Sequence, residues 1–586
     1  MTAEGAPRGP RLLIRKSIEQ IQAEVASHHL KRTLGPANLI FFGIGCIIGA
    51  GIYVMTGNAA ANYAGPAVLL SFVIAGFACA FAGLCYAELA STMPVAGSAY
   101  TYAYATLGEV FAWVMGWLLV LEYGVAAATV AVGWSGYVTS FLADLHVAVP
   151  AAWSTSLVQS VTGPHGLVFH VGTSLNLIAA AGILAVTALL VFGVSESARV
   201  NNVIVFIKVG VLVLFVAVGV FYIHPHNWTP FVPASRGGFT YGVKGIFRAA
   251  SVIFFAYVGF EAVSTAAAEA RNPQRDMPIG ILGSLFICTI IYMSVAAVLT
   301  GVVPYRLLSV PEPIALAVDR MHQPIFAYLI KIGAIAGLSS VMLILTYGQS
   351  RIFYSMSRDG LLPAVLGRLH RRFRTPWIGT IILGSLIAIL SVLLPITILG
   401  DLVSLGTACA FGIVCLATMY LRTAKPEIHR PFRVPLGGGL VQKQWVIGLI
   451  FVLLEAGMGF FYFVFTGTWA EAGAVIVAVV CALWLALSWG SRRVRWWIGA
   501  SPILGIIGAV IMAEPLLQDI TEKALRGDRI PATILGGYIL LGAIIYLTYG
   551  LWNSRLAKGL PVRDEGIPQG AMEAQVHGVH EVQGGG

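Results

Sequence analysis

Residues 43–53 read GIGCIIGAGIY and lie inside the first long apolar run of the chain. This stretch holds four glycines, at positions 43, 45, 49 and 51, although a glycine in a helix interior costs roughly 1 kcal/mol relative to alanine. A segment that crosses a bilayer must also satisfy its own backbone hydrogen bonds. The stretch therefore predicts one of two structures: a helix whose small residues pack closely against its neighbours, or a helix that is interrupted at residues 48–51.

The composition around this stretch is that of a membrane protein. Of the 586 residues, 58% are hydrophobic and 11% are charged, whereas a soluble domain carries about 25% charged residues. Many apolar blocks reach the length of about 20 residues that spans a bilayer as a helix. We therefore predict an all-α polytopic membrane protein with about fourteen transmembrane helices. The predicted spans are 39–61, 67–90, 105–130, 174–194, 203–223, 243–268, 279–303, 325–349, 377–394, 397–421, 445–467, 471–489, 496–513 and 532–552.

The distribution of positive charge predicts the topology. A net charge of +10 would suit a nucleic-acid partner, but the arginines gather in particular connections between spans. Residues 351–374 contain six arginines, whereas residues 131–173, the longest predicted external connection, contain no lysine or arginine. Because positive residues stay on the cytoplasmic side, we expect both termini in the cytoplasm. The predicted partner is the lipid bilayer, not a nucleic acid.

The chain divides into four predicted regions. Residues 1–37 form a cytoplasmic segment with apolar residues at helical spacing and basic flanks, which is typical of a helix on the membrane surface. Residues 38–424 form a ten-helix core, and residues 425–553 add four further spans. Residues 554–586 are polar and end in three glycines, so we expect a disordered cytoplasmic tail. All seven cysteines fall in apolar spans, and we predict no metal or cofactor.

The sixth span carries a second interruption. In FFAYVGFEAVST, residues 254–265, Gly259 follows an aromatic pair. Paired glycine-interrupted spans in corresponding positions point to a transporter binding site, so spans 1–5 and 6–10 are predicted to be inverted halves. A break leaves backbone N–H groups unpaired at the positive end of the helix dipole, and such an end is a ready site for a carboxylate. Glycine there would also let a ligand approach the backbone.

Three ionisable residues lie within predicted spans. Lys208, in VIVFIKVGVLVLF, has no acidic residue in its own span. It either extends its ammonium to the membrane surface or is a desolvated group that exchanges a proton. Glu122 lies near the middle of span 3, and Glu261 lies just past the break of span 6. A carboxylate at such a depth is protonated, pairs with a polar neighbour or lines a pathway, so both are candidate pathway carboxylates.

Motifs of other function classes are missing. The sequence contains no HExxH, GxSxG, Walker A or Cys-x-x-Cys motif, so neither catalysis nor ATP-driven pumping has visible apparatus. We predict no catalytic residues and no enzyme activity. A channel is disfavoured because no selectivity-filter loop or ring of like charges is present.

Six blocks of sequence resemble the amino acid–polyamine–organocation superfamily, and specifically its cationic amino acid transporter family. The resemblance extends over residues 34–553, nearly the whole chain. The blocks are LKRTLGPANLIFFGIGCIIGAGIY, PVAGSAYTY, LEYGVAAATVAVGWSGY, ARVNNVIVFIKVGVLVLF, FFAYVGFEAVSTAAAEARNPQRDMPIGI and YGQSRIFYSMSRDGLLP.

This resemblance implies a five-plus-five inverted-repeat core, alternating access and secondary transport of amino acids. It implies that the first break holds the substrate carboxylate and that carbonyls of span 6 meet the substrate amine. It also implies that Lys208 stands in place of a sodium ion. Ala50 and Tyr53 stand where family members often have threonine and phenylalanine, so a side-chain hydroxyl contact is not expected at the break. The implied substrate-binding residues are Ile48, Gly49, Ala50 and Gly51 of span 1, with Phe255, Ala256 and Val258 of span 6.

The resulting hypothesis is an amino acid permease of the plasma membrane that uses the proton as its coupling ion. The lining implied at the two breaks is apolar, and Glu261, the nearby acid, is expected about one turn beyond the break. We therefore expect small or medium neutral amino acids to be carried at least as well as arginine, because a buried guanidinium needs a partner. The alternatives are an exchanger or sensor with little net transport, a permease selective for cationic amino acids, and a membrane-embedded enzyme.

Overall fold

A computed structural model describes residues 14–16, 34–93, 98–163, 166–193, 198–373, 375–425, 427–434 and 500–560. This part of the chain is almost entirely helical. Nine of its helices are long and apolar enough to cross a membrane, and three further apolar helices are shorter. Predicted spans 1–10, 13 and 14 are thereby confirmed as helices. Predicted spans 11 and 12 lie outside the described residues.

The helices keep the numbers of the predicted spans. Span 1 is Pro36–Ile47 followed, after a break, by Gly51–Met55, Thr56–Ala59 and Ala60–Ala64; span 2 is Val68–Thr92; span 3 is Glu109–Leu119, Val120–Val125 and Ala126–Asp144; span 4 is Leu177–Val191; span 5 is Ala198–Gly219; span 6 is Gly242–Ile253, Phe254–Tyr257 and Phe260–Glu269; span 7 is Pro273–Val302; span 8 is Pro324–Arg358; span 9 is Trp377–Leu393; span 10 is Ile396–Ala424; span 13 is Ala500–Leu525; and span 14 is Ile530–Ile545, Tyr546–Gly550 and Leu551–Asn553. Shorter helices Ser98–Thr106 and Pro313–Arg320 lie in the connections.

Corresponding spans of the two halves pack against each other. Span 2 lies along span 7, span 3 along span 8, and span 4 along span 9. The two broken helices, spans 1 and 6, are also counterparts five spans apart. This pairing is the arrangement expected of a five-plus-five core, with the breaks at its centre.

Span 3 is longer than predicted, because its helix ends at Asp144 and not at residue 130. Gly133, in the stretch that we assigned to a loop, packs directly against Val54 of span 1. Tyr137, one turn further on, donates a hydrogen bond of 2.7 Å to the carbonyl of Tyr53. Small and polar residues that look like loop residues are therefore packing residues here. What remains of the predicted external connection includes an antiparallel hairpin, β1 (Val158–Gly163) with β2 (Gly166–Val171).

Span 13 also exceeds its prediction of 496–513. The helix continues beyond residue 513 to Leu525. Asp519 in the added part is buried and forms an ion pair with Arg248 of span 6. A tertiary partner thus lets a charged residue remain inside the helical bundle.

Little of the predicted terminal regions is described. Of residues 1–37, the structure describes 14–16 and 34–37. Ile14 is buried, and Lys16 forms an ion pair with Asp359 at the end of span 8, with a separation of 2.6 Å. The tail is described only as far as residue 560, so its predicted disorder lies outside the described residues. The four predicted region boundaries stay predictions.

Candidate functional site

The break in span 1 lies where the glycine-rich stretch predicts it. The helix before the break, Pro36–Ile47, is called the inner helix of span 1, and Ile48 after it has an extended backbone (φ −71°, ψ 100°). The helix after the break, called the outer helix, begins at Gly51. Within the described residues, the amides of Gly49 and Ala50 donate to no backbone carbonyl. Two amides at the positive end of the outer helix are thereby available to a ligand.

The four glycines of the opening stretch also serve close packing, so both of its predicted roles are found. Each glycine faces a different span: Gly43 faces Ser284 of span 7, Gly45 faces Val205 of span 5, and Gly49 faces Val341 of span 8. A side chain on Gly51 would overlap with the backbone of Ala256 in span 6. At Gly51 the absent side chain therefore makes room for the second broken helix and not for a ligand.

The break in span 6 depends on Gly259. This residue has φ +119°, a conformation that favours glycine, and a Cβ there would collide with the carbonyl of Cys46 in span 1. Its amide donates a hydrogen bond of 2.8 Å to Oε2 of Glu261. Glu261 thus reaches back to the break, whereas we expected its carboxylate about one turn beyond it. The reason is that the free amide offers the carboxylate a partner.

The substrate-binding residues implied by the resemblance come together at the two breaks. Gly51 and Ala256 are in contact, and Gly259 lies against the end of the inner helix of span 1. The side chains that line this junction are buried and apolar, as predicted; they are Ile48, Ala50, Phe255, Ala256 and Val258. The Phe255 carbonyl already accepts a 3.1 Å hydrogen bond from the amide of Val258, but a carbonyl oxygen has a second lone pair.

Lys208 is 1% exposed and does not extend to the membrane surface. Its Nζ donates a hydrogen bond of 3.2 Å to the carbonyl of Gly45, near the end of the inner helix of span 1. The aliphatic part of its side chain packs against Gly337 of span 8. The structure therefore contains the link from span 5 to span 1 that a proton-exchanging lysine requires. Whether Lys208 exchanges a proton stays a prediction.

Glu122 lies in the π-helical turn Val120–Val125 of span 3 and is fully buried. Its acidic neighbour is Glu261, and the two carboxyl groups are close enough to share a hydrogen bond when one of them is protonated. The adjacent Tyr123 donates a hydrogen bond of 3.2 Å to Oε1 of Glu261. The turn thus places two candidate pathway carboxylates beside each other. Two carboxyl groups buried side by side cannot both be charged without a large cost, which favours a functional role over a structural one.

Two tyrosines make contacts near the breaks that the sequence analysis did not predict, although it noted Tyr53 as a departure from the family. Tyr292 of span 7 donates a hydrogen bond of 2.8 Å to the carbonyl of Ile47, the last residue of the inner helix. Tyr53 donates one of 3.2 Å to the backbone carbonyl of Lys208. The available signal was a tyrosine inside an apolar span, because a buried phenol usually finds a hydrogen-bond partner. That signal does not tell which carbonyl the phenol reaches.

Across the described ranges, no group of three or more histidine, cysteine, aspartate or glutamate side chains is placed to bind a metal ion.

A carboxyl group in the connection between spans 7 and 8 lies near the C-terminal end of span 3. Glu312 precedes the helix Pro313–Arg320, and its side chain lies over Gly136. Burial raises the pKa of Glu312 to about 7, and the charge of Lys331 opposes this shift while that of Asp319 adds to it.

We expect this carboxyl group to make stability depend on pH. A carboxyl pKa above its unfolded value means that the folded protein binds the proton more tightly. The stability that the protonated Glu312 gives to the folded protein is therefore complete below about pH 4 and is lost as the pH rises towards 7. Between pH 5 and pH 8, the melting temperature of wild type should fall by several degrees more than that of Glu312→Gln. A difference between the two proteins that does not change with pH would contradict this assignment.

Three known proteins show how this chain is related to others. The methylthioribose transporter of Bacillus subtilis (strain 168) is 44% identical over 424 residues, which cover 72% of this chain and 88% of that protein. The branched-chain amino acid permease BcaP of the same bacterium is 43% identical over 445 residues, with coverages of 76% and 92%. The vacuolar cationic amino acid transporter 4 of Arabidopsis thaliana is 38% identical over 418 residues, with coverages of 71% and 68%.

The chain also matches the amino acid permease family over residues 34–487, which include both broken helices. The three relatives are named as transporters or a permease, which agrees with the missing enzyme motifs, so the chain is a transporter and not an enzyme. It belongs to the amino acid permease family of the amino acid–polyamine–organocation superfamily.

Proposed function

We propose that this protein imports amino acids across the plasma membrane by proton symport, with alternating access around the junction of spans 1 and 6. The observation that carries the proposal is the contact between the two breaks, Gly51 against Ala256 and Gly259 against Cys46. Broken helices that meet inside a membrane protein place unsatisfied backbone groups where a ligand can use them. A zwitterionic amino acid has the complementary groups at one end.

The substrate carboxylate would bind the amides of Gly49 and Ala50, with Gly51 closing the turn. The substrate amine would bind carbonyls of span 6. The amide of Gly259 donates its hydrogen bond to Glu261 and not to the carbonyl of Ala256. Both contacts use backbone groups, so the replacement of a threonine by Ala50 leaves them intact.

Lys208 would be the group that couples the proton to transport. Its ammonium ties span 5 to the inner helix of span 1 through the carbonyl of Gly45. A neutral amine loses the charge-assisted part of this bond, so protonation favours the conformation in which the two spans are joined. A coupling ion must bias the conformational equilibrium by such a differential contact. Glu122 is the second candidate, because it is buried beside Glu261 and a proton shared by the two groups would relieve their repulsion.

The preferred substrates would be neutral amino acids of small or medium size. The side chains at the breaks are apolar, and both oxygens of Glu261 already accept hydrogen bonds from the protein. The relationship to a branched-chain amino acid permease supports this choice, whereas the relationship to a cationic amino acid transporter supports a cationic substrate. Methylthioribose is a separate candidate because its transporter is 44% identical to this chain.

Uptake into proteoliposomes tests the proposal. Labelled leucine, alanine, arginine and methylthioribose would be offered with and without an inward proton gradient, and with a protonophore as the control. We expect leucine or alanine to accumulate at least as well as arginine, and only when the gradient is present. Uptake of arginine alone would refute the selectivity. Uptake that requires amino acid inside the vesicle would indicate an exchanger, and uptake of methylthioribose alone would exclude the carboxylate site, because that sugar has no carboxylate.

We propose further that both termini lie in the cytoplasm. The support is the contrast between the arginines of residues 351–374 and the absence of lysine and arginine from residues 131–173. A cysteine placed at the exposed Arg371, in the connection between spans 8 and 9, should resist an impermeant thiol reagent in intact cells. A cysteine at the exposed His170, on the external hairpin, should react. The opposite pattern would invert the topology.

A further inference from the structure

Arg248 is fully buried. It lies in Gly242–Ile253, the helix of span 6 before the break, which is called its outer helix. Its Nη2 lies 2.7 Å from Oδ2 of Asp401 in span 10, and its Nε lies 3.0 Å from Oδ2 of Asp519 in span 13. Its guanidinium carbon lies 4.7 Å from the ring centroid of Tyr63, in the outer part of span 1. One side chain therefore joins both broken helices to spans 10 and 13.

The charges around Arg248 balance. Asp519 is also 3.0 Å from Nζ of Lys523, one helical turn further along span 13. Two acidic and two basic side chains thus form one network, in which Asp401 and Asp519 are 13% and 12% exposed. Because ion pairs in such surroundings are weakly screened, removing one acidic partner leaves Arg248 with a buried, partly uncompensated charge.

Span 13 belongs to the four spans added to the core, yet it packs along spans 2 and 10 and on the outer helix of span 6. Its neighbour, span 14, is attached to span 3 instead. Trp117 of span 3 stacks on Tyr538 of span 14, with centroids 4.9 Å apart, and its Nε1 donates to the Tyr538 carbonyl at 3.2 Å. The two added spans, joined by a short turn, thereby connect the broken helix to a continuous helix of the core.

Opening the external side requires the outer helices of spans 1 and 6 to move away from the rest of the core. Here the two outer helices pack against each other, and Val54 of span 1 lies against Gly133 of span 3. Any such movement must separate Arg248 from Asp401 or Asp519, or carry span 13 along with span 6. The network is therefore placed to determine how readily the external side opens.

We propose that Asp519 is a positioning residue of the transport cycle, which holds the outer helix of span 6 in its closed position through Arg248. The added span 13 then acts as a restraint on external opening. This inference rests on the alternating-access part of the proposed function, but not on the identity of the substrate or of the coupling ion.

The test measures external access without using a substrate. A single cysteine at Val54, in a background whose native cysteines are replaced by alanine, reports opening through its rate of reaction with an impermeant thiol reagent. Asp519→Asn should raise that rate at least about fivefold, the lower end of typical coupling effects. Asp519→Glu, which keeps the charge, should restore a rate near that of the parent. Glu522→Gln is the matched control, because Glu522 lies on the same helix in an exposed ion pair with Arg526.

A folded Asp519→Asn protein that reacts at the parent rate would overturn the proposal. If that variant does not fold, Arg248→Lys serves instead, because a lysine keeps the charge but lacks the fork that holds two acids; it should also react faster, and an unchanged rate would again overturn the proposal. Faster labelling in a protein that carries none of the four test solutes would support the restraint while refuting the proposed substrates, so the two failures are distinguishable.

Discussion

Replacement of Lys208 by alanine is expected to abolish the dependence of uptake on a proton gradient. The substitution removes the hydrogen bond of 3.2 Å from Nζ to the Gly45 carbonyl, and with it the only group of span 5 that we expect to exchange a proton. A hydrogen bond to a charged group contributes about 1.5–3 kcal/mol, so its loss should change the conformational equilibrium roughly ten- to hundred-fold. Gradient-driven accumulation should disappear, while binding at the breaks persists.

Two further variants separate charge from packing. The Lys208 stem packs against Gly337, so alanine also leaves a cavity, whereas Lys208→Met keeps the stem and should behave like alanine if the charge is what matters. Lys208→Arg keeps a charge that is not released at neutral pH and should therefore stop net uptake. Uptake and affinity would be measured for the three variants and wild type between pH 5 and 8. Normal pH-dependent uptake by the alanine variant would transfer the coupling role to Glu122.

Substitution of Gly51 by leucine is expected to abolish substrate binding while the protein remains inserted in the membrane. A side chain at this position would overlap with the backbone of Ala256, so the two broken helices must move apart. Overpacking of a close contact typically costs about 1–3 kcal/mol, and the amides and carbonyls that bind the substrate would lose their spacing. Binding would be measured as stabilisation of the purified protein by leucine in thermal melts.

Gly210→Leu is the control for this substitution. Gly210 lies in span 5, and a Cβ there would meet no atom within 4 Å among the described residues, so its leucine variant should bind substrate normally. Gly49→Ala should have an intermediate effect, because its Cβ would lie 3.1 Å from Cγ1 of Val341, a side chain that can adjust. Wild-type binding by Gly51→Leu would place the substrate elsewhere.

The lengths of the helices could be predicted only where hydrophobicity decides them. Because lipid requires runs of apolar residues, the positions of the described spans along the chain could be predicted. The ends of spans 3 and 13 were missed because small and charged residues there look like exits from the membrane. Val54 contacts Gly133 of span 3, and Arg248 pairs with Asp519 of span 13. These partners lie 79 and 271 positions away in the sequence.

The candidate site was predictable to the extent that it depends on glycine and on unpaired charge. Glycine marks both breaks, and a lysine in an apolar span must find acceptors such as the carbonyl of Gly45. The cap that Tyr292 places on Ile47 was not predictable, because spans that are apolar on all sides give no periodicity from which to assign a facing side. The bond between Glu261 and Gly259 depends in turn on a backbone conformation that arises only at the break.

The π-helical turn Val120–Val125 makes the number of residues in span 3 as important as their identity. A π turn accommodates one residue more than an α-helical turn, so the turn itself could lose that residue without rotating the helix beyond it. Deleting a single residue from the α-helical stretch between this turn and Gly133 would instead rotate the rest of the span by about 100° relative to its beginning. Glu122 could then face Glu261, or Gly133 could face Val54, but not both. Substitutions along span 3 leave this register unchanged. A change in the length of the α-helical stretch by one residue would disconnect the inner carboxylates from the outer contact with span 1, even if every side chain that forms them were retained.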